Sequence, residues 1–290
     1  MFENCALITG YTLISGLLLY CVWFTDHTAH KHNRALVLLV SLAIVSLYIA
    51  NAVTIFSLLF ITSLILLSIN IDKINNTFLR ILFALMVTVV SLALAMHLIP
   101  GFSHYKIAET ILISSGAPAI NINANIDKVF AGVILLLMAN TIKLSQPKTS
   151  SKADFHLVPF YTVLVLIVAY LTGLDLDVKL PQVTLVFIAT NLVFSVITEE
   201  AFFRVVIQNT LMNTFKNRLP WASGLAIVLT SVLFGLAHIA GGWHFVILAT
   251  FAGLIYGYVY HRTGRLTVAI VTHLSVNVGH FLLLVYPVPL

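Results

Sequence analysis

The chain has 290 residues, 60% of them hydrophobic and 9% charged, with a formal net charge of +5 and a mean hydropathy of +1.04. A soluble domain carries about 25% charged residues, and about half of any globular surface still faces water. A water-soluble fold is therefore excluded, and the bilayer is the solvent. Spanning segments must then satisfy their own backbone hydrogen bonds.

Continuous apolar runs occur at about 5–24, 35–50, 52–70, 77–99, 129–144, 158–174, 182–198, 224–239, 244–260 and 266–286. They do not alternate, so they predict helices and not barrel strands. The expected fold is all-α: a polytopic transmembrane bundle of about ten spans (eight to ten), with a catalytic bundle in the C-terminal half.

The first run reads as a membrane helix and not a cleaved signal peptide. Glu3 stands where a basic region would be, and the run to Phe24 is too long. Cys5 and Cys21 lie roughly 24 Å apart along it, too far for a disulfide. Residues 35–70 form either two short helices or one broken near Asn51. The three histidines between Asp26 and Arg34 read as a solvated loop and not a metal site. Lysines and arginines gather in loops (Lys31, Arg34; Lys73, Arg80; Lys143, Lys148, Lys152; Lys216, Arg218; Arg262, Arg265). With ten spans all of these fall on one side, which predicts cytoplasmic basic loops and outer termini. The charge thus marks topology and not a nucleic-acid partner.

Residues 100–127 break the pattern. Pro100-Gly101, Gly116-Ala117-Pro118 and Asn121 to Asn125 are turn chemistry. Between them Ile107 to Ser114 is semi-apolar. The expectation is an outer loop with an interfacial or re-entrant element. The chain divides into residues 1–150, whose helices carry no assignable motif, and residues 151–290, where polar groups enter the spans.

Ionisable residues within spans are costly and mark function by default. Glu199 and Glu200 follow the run Val183 to Thr198 with no glycine or proline between, so the helix is expected to continue through Val205, Val206 and Leu211. Glu200 and Arg204 are four residues apart and can pair. Glu199 projects about 100° away and, kept from bulk water, suits a general base. His238 closes Phe234-Gly235-Leu236-Ala237-His238. His273 and Asn277 share one helix face, which could bind a metal, hydrogen-bond another helix or cradle an oxyanion. His280 could extend that face as a secondary member. Each group alone also has a structural reading: a solvated charge cluster, a packed histidine, a polar helix contact.

Taken together, the set is a water-activating one. No GxSxG or Ser–His pair at nucleophile spacing accompanies it, which argues against a rhomboid-type serine protease. No HExxH is present, which argues against a site-2-type metalloprotease. No aspartate pair lies within the spans, which argues against a presenilin-type site. The ordered trio Glu-Glu-x-x-x-Arg, Phe-x-x-x-His and His-x-x-x-Asn, over residues 155–290, resembles the CAAX protease and bacteriocin-processing (CPBP) family, which includes the type II CAAX prenyl endopeptidase. The resemblance implies an intramembrane endopeptidase acting on a membrane-associated, prenylated CAAX-type protein or peptide. By the same resemblance, Glu199 and His238 activate water, His273 and Asn277 stabilise the oxyanion, and Glu200 and Arg204 support the site. No cofactor is favoured; if zinc is used, Glu199, His238 and His273 are its ligands. The expected partners are the lipid bilayer and a peptide substrate, with no nucleic acid. The expected location is a bacterial inner membrane. A proton-coupled transporter and a non-catalytic immunity or interaction protein are the competing readings.

Counting helical rise places Glu199 near the cytoplasmic end of its span, about 27 Å beyond Pro181. His238 falls near the opposite face unless its helix begins well outside the bilayer.

Overall fold

The structure is a computed structural model and describes residues 2–27, 34–141 and 152–288. The histidine-bearing loop after Asp26 and the basic stretch around Lys143 and Lys148 lie outside the described residues.

Ten helices are labelled in chain order: α1 (Phe2–His27), α2 (Arg34–Ile49), α3 (Ile55–Asn70), α4 (Thr77–Ala95), α5 (Ile126–Thr141), α6 (Leu157–Leu171), α7 (Thr184–Phe215), α8 (Ala222–Leu236), α9 (Gly242–Thr263) and α10 (Leu266–Leu283). Among the described residues, seven helices are long and apolar enough to cross a bilayer, and Val40–Ile49 and Ala222–Leu236 are shorter apolar helices. The chain is an integral membrane protein with the expected helical-bundle fold; among the described residues, length and composition alone do not establish ten full spans. Exposed leucines, isoleucines and phenylalanines on α3 and α4, such as Phe56, Leu59, Phe78 and Leu85, suit a lipid-facing surface.

Two open readings are made specific. The break near Asn51 separates two helices: Asn51 adopts a left-handed backbone (φ 55°), and Thr54 caps α3 by accepting from the Ser57 N–H. The element expected after Pro100 is made of strands. Strands β1 (Tyr105–Ile111) and β2 (Ile120–Ala124) form a two-stranded sheet.

Two compact units make up the chain. The first comprises Met1–Tyr105, Asn123–Leu144 and Val193–Phe202. At its centre is α5, whose residues from Val129 through Ala139 are nearly all buried, packed by α1, α3 and α4. Gly10 lets α1 approach α2, since a Cβ there would lie 2.7 Å from Leu47 Cγ. The turn before α3 is tied to the one after α4 by Thr54 N–H and Ser57 Oγ, which both donate to Gly101 O at 3.0 and 2.7 Å.

The second unit comprises Lys106–Ile122, Ser145–Leu192 and Phe203–Leu290. Here α8 and α9 form a close hairpin, and α10 packs on α6 and α9. Gly235 permits the crossing, because a Cβ there would lie 2.7 Å from Val246 O. The segment after α10 is pinned by polar contacts: Lys179 Nζ donates to Leu284 O at 2.6 Å and pairs with Asp177 at 3.0 Å. The Tyr286 N–H donates to Ser114 Oγ at 2.9 Å. The Ser114 hydroxyl and the Lys179 ammonium hold the Asp177 carboxyl below its ordinary range.

Candidate active site

Helix α7 runs unbroken from Thr184 to Phe215, as its sequence leads one to expect, and is far longer than the predicted run. Glu199 therefore sits at the middle of this helix. Two stretches of α7 are wound as π-helix, Leu192–Val196 and Ala201–Gln208, leaving one α-helical turn, Ile197–Glu200, between them. π turns within α-helices are frequent at functional sites.

In the first unit, that turn is held by neighbours on both sides of Glu199. Ser195 Oγ donates to Glu199 Oε1 at 2.6 Å. Thr198 Oγ1 donates to Lys128 O on α5 at 2.8 Å. Gly132 makes room for this, since a Cβ there would lie 2.7 Å from Thr198 Oγ1. Glu200 is fully buried, while Glu199 is partly accessible.

In the second unit, Arg204 is also fully buried. Its Nη1 donates to Gln208 Oε1 at 3.3 Å, and its guanidinium carbon stands 5.7 Å from the centre of the Phe234 ring, within cation–π range. Gln208 Nε2 donates to Gly257 O at 2.9 Å. Gly257 leaves the space, as a Cβ there would lie 2.9 Å from both Arg204 Nη1 and Gln208 Oε1.

Phe234 is the hub of this unit's polar interior. Its ring is 5.0 Å from Phe203, 4.7 Å from His238 and 5.6 Å from His273. Tyr256 stacks on His273 at 4.5 Å with the rings only 17° from parallel, and His273 is buried. His238 lies just past the end of α8, where its Nδ1 meets Phe234 O at 2.7 Å. A carbonyl only accepts, so Nδ1 carries a proton, and in the neutral imidazole the lone pair falls on Nε2, the tautomer needed by a base or a metal ligand. One turn beyond His273, Asn277 Nδ2 donates to Asn191 Oδ1 at 2.9 Å. The amide's second N–H can serve a further acceptor. His280 is committed elsewhere: its Nε2 donates to Val285 O at 3.1 Å and its ring packs on Tyr286 at 5.0 Å.

Residues 181–279 match the family model described as Type II CAAX prenyl endopeptidase Rce1-like. The matched stretch contains Glu199, Glu200, Arg204, His238, His273 and Asn277, and excludes His280 and the whole chain before Pro181. Comparison with curated proteins and with solved structures gives no match. The Rce1-like similarity supports an intramembrane protease, a hydrolase working on a membrane-associated peptide.

Within the Rce1-like stretch, sequence reasoning missed Ser195, Asn191, Tyr256 and Gly257. Ser195 was within reach, being four residues before Glu199 and so on its face of an ideal helix. Asn191 is a lone amide in an apolar run, a polar group that needs a partner. Tyr256 and Gly257 carry no local signal, because their role arises from packing between α9 and its neighbours.

Proposed function

We propose that the protein is an intramembrane endopeptidase that cleaves a peptide bond near the C-terminus of a membrane-associated, CAAX-type protein. Glu199 and His238 activate the attacking water. The amide of Asn277 and the ring of His273 receive the charge that develops on the scissile carbonyl oxygen. Glu200 and Arg204 support the site from buried positions. The observation that carries this reading is the 2.7 Å contact of His238 Nδ1 with Phe234 O, which leaves the lone pair of the neutral ring on Nε2. The Rce1-like match over these same residues agrees with it.

In the metal-free mechanism, which we favour, Glu199 takes the proton from water as the oxygen attacks, and the departing amine is protonated in turn. If zinc is bound, Glu199, His238 and His273 would hold it, since a bare imidazole nitrogen and carboxylate oxygens are suitable donors, and zinc would lower the pKa of the attacking water. A bacterial inner membrane with cytoplasmic basic loops is the setting we infer from the distribution of lysine and arginine.

The test is cleavage of a peptide panel that includes a prenylated CAAX peptide, by detergent-purified protein. General acid–base residues contribute roughly 10²- to 10⁴-fold, so Glu199→Ala and His238→Ala should each cut turnover by at least about 100-fold. Retained cleavage in either variant would remove that residue from the mechanism. Loss on chelation with recovery on zinc addition would select the metal-dependent form.

A further inference from the structure

Outside the Rce1-like stretch, the first unit brings together His97, His104 and Asp127, whose donor atoms all lie within 4.8 Å of one another. His97 and His104 come from the segment that leaves α4, and Asp127 from the first turn of α5. Asp127 is 1% exposed, whereas the two imidazoles are 36% and 37% exposed. A carboxylate this buried needs compensation. It has His97 Nδ1 against Oδ2 at 2.6 Å and the Lys128 N–H donating to Oδ1 at 2.9 Å.

His104 Nδ1 faces Oδ1 at 3.8 Å, too long for a hydrogen bond. The two imidazoles stand edge to face with centres 4.5 Å apart, and both rings reach the surface whereas the carboxylate does not. Donor atoms 2.0–2.1 Å from a tetrahedral ion are separated by about 3.3 Å. The donor atoms lie within 4.8 Å of one another, with His97 Nδ1 2.6 Å from Oδ2 and His104 Nδ1 3.8 Å from Oδ1, so an ion would replace the proton between His97 and Asp127 and draw the side chains to that edge by rotation.

The backbone is bent to make this arrangement. After α4 the chain closes with Leu98 N–H on Ala93 O at 2.9 Å and His97 N–H on Leu94 O at 3.0 Å. This closure places His97 at the left-handed position (φ 61°). Glycine is the usual occupant there. A histidine accepts the strain while its side chain reaches a buried carboxylate, and strain held in this way is a pointer to function.

We propose that His97, His104 and Asp127 bind a divalent transition ion of the zinc type, with a fourth position open to water or an exchangeable ligand. Two imidazole nitrogens and one carboxylate oxygen match the preferences of such ions, and calcium or magnesium would call for an oxygen shell instead. The ion would fasten the segment after α4 to the start of α5, and it is separate from the Glu199, His238 and His273 set.

The test uses full-length protein in detergent carrying His238→Ala and His273→Ala, so that metal at the proposed catalytic set does not contribute. Equilibrium dialysis against micromolar Zn²⁺ should leave close to one bound ion per chain, and Co²⁺ should give visible bands of a tetrahedral site. Adding His97→Ala or His104→Gln should abolish both signals. His104 is well exposed and its variant serves as the safer probe of folding, checked by monodisperse elution. The inference is overturned if folded protein binds no Zn²⁺ at these concentrations, or if binding is unchanged by both histidine variants.

Discussion

His238 and His273 share one aromatic neighbour, the Phe234 ring, which lies 4.7 Å from the first imidazole and 5.6 Å from the second. The phenylalanine of the Phe-x-x-x-His motif thus sets both imidazoles through its side chain while its carbonyl fixes the tautomer of one of them. Phe234→Leu keeps the carbonyl and removes the ring. Aromatic pairs contribute about 0.5–1.5 kcal/mol each beyond area burial. The expected result is folded protein with turnover lowered roughly tenfold, measured in the peptide assay beside a thermal melt.

Ser195→Ala removes the hydrogen bond to Glu199. Hydrogen bonds to charged groups contribute about 1.5–3 kcal/mol, so kcat should fall roughly 10- to 100-fold with KM nearly constant. An unchanged kcat would mean that this hydroxyl does not orient the working carboxylate.

Asn191 positions Asn277 and touches no substrate in the proposed mechanism. A single neutral hydrogen bond contributes about 1 kcal/mol, so Asn191→Ala should lower kcat roughly fivefold. The double variant with Asn277→Ala should be no slower than Asn277→Ala alone, since the two act through one contact. Additive losses in that cycle would separate their roles.

Gly257→Ala drives a methyl group into the space of the Arg204 guanidinium and the Gln208 amide. Overpacking of this kind costs about 1–3 kcal/mol. The variant should melt earlier than the parent, and Gln208→Ala should relieve part of the loss.

Burial pushes the Tyr286 phenol up to about 12, against about 10 in an unfolded chain. A folded-state value above the unfolded one means that stability is fully present below pH 10 and is lost as pH rises from about 10 towards 12. The loss amounts to about 2–3 kcal/mol. Thermal melts across that range should show the decline, and Tyr286→Phe should flatten it.

The helices and the motif residues were legible because both are local. Apolar runs announce spans, and Glu199, Glu200, His238 and His273 are conspicuous where charge is costly. The sheet was misread although its signal was present: Ile120-Asn121-Ile122-Asn123 alternates strictly, the period of a strand, but its asparagines look like turn residues. The continuation of α7 past Glu199 and Glu200 was legible because no glycine or proline interrupts the sequence from Val183 to Leu211. Its π turns have no residue signature. The convergence of His97 and His104 on Asp127 depends on a return of the chain between α4 and α5, which no spacing announces.

The winding of α7 has a genetic consequence. Each π stretch accommodates extra backbone in an otherwise α-helical rod. Deleting one residue between Leu192 and Val196 could be absorbed by rewinding to α-helix, with the membrane span kept intact. Because a π turn holds one residue more than the α turn that would replace it, everything after the deletion would keep its bearing relative to what precedes it, Glu199 and Glu200 included. Such deletions that spare Ser195 should yield abundant, well-folded protein that keeps its activity, whereas a deletion within Leu225 to Leu233 of α8, which turns the rest of that helix by about 100°, should be poorly expressed.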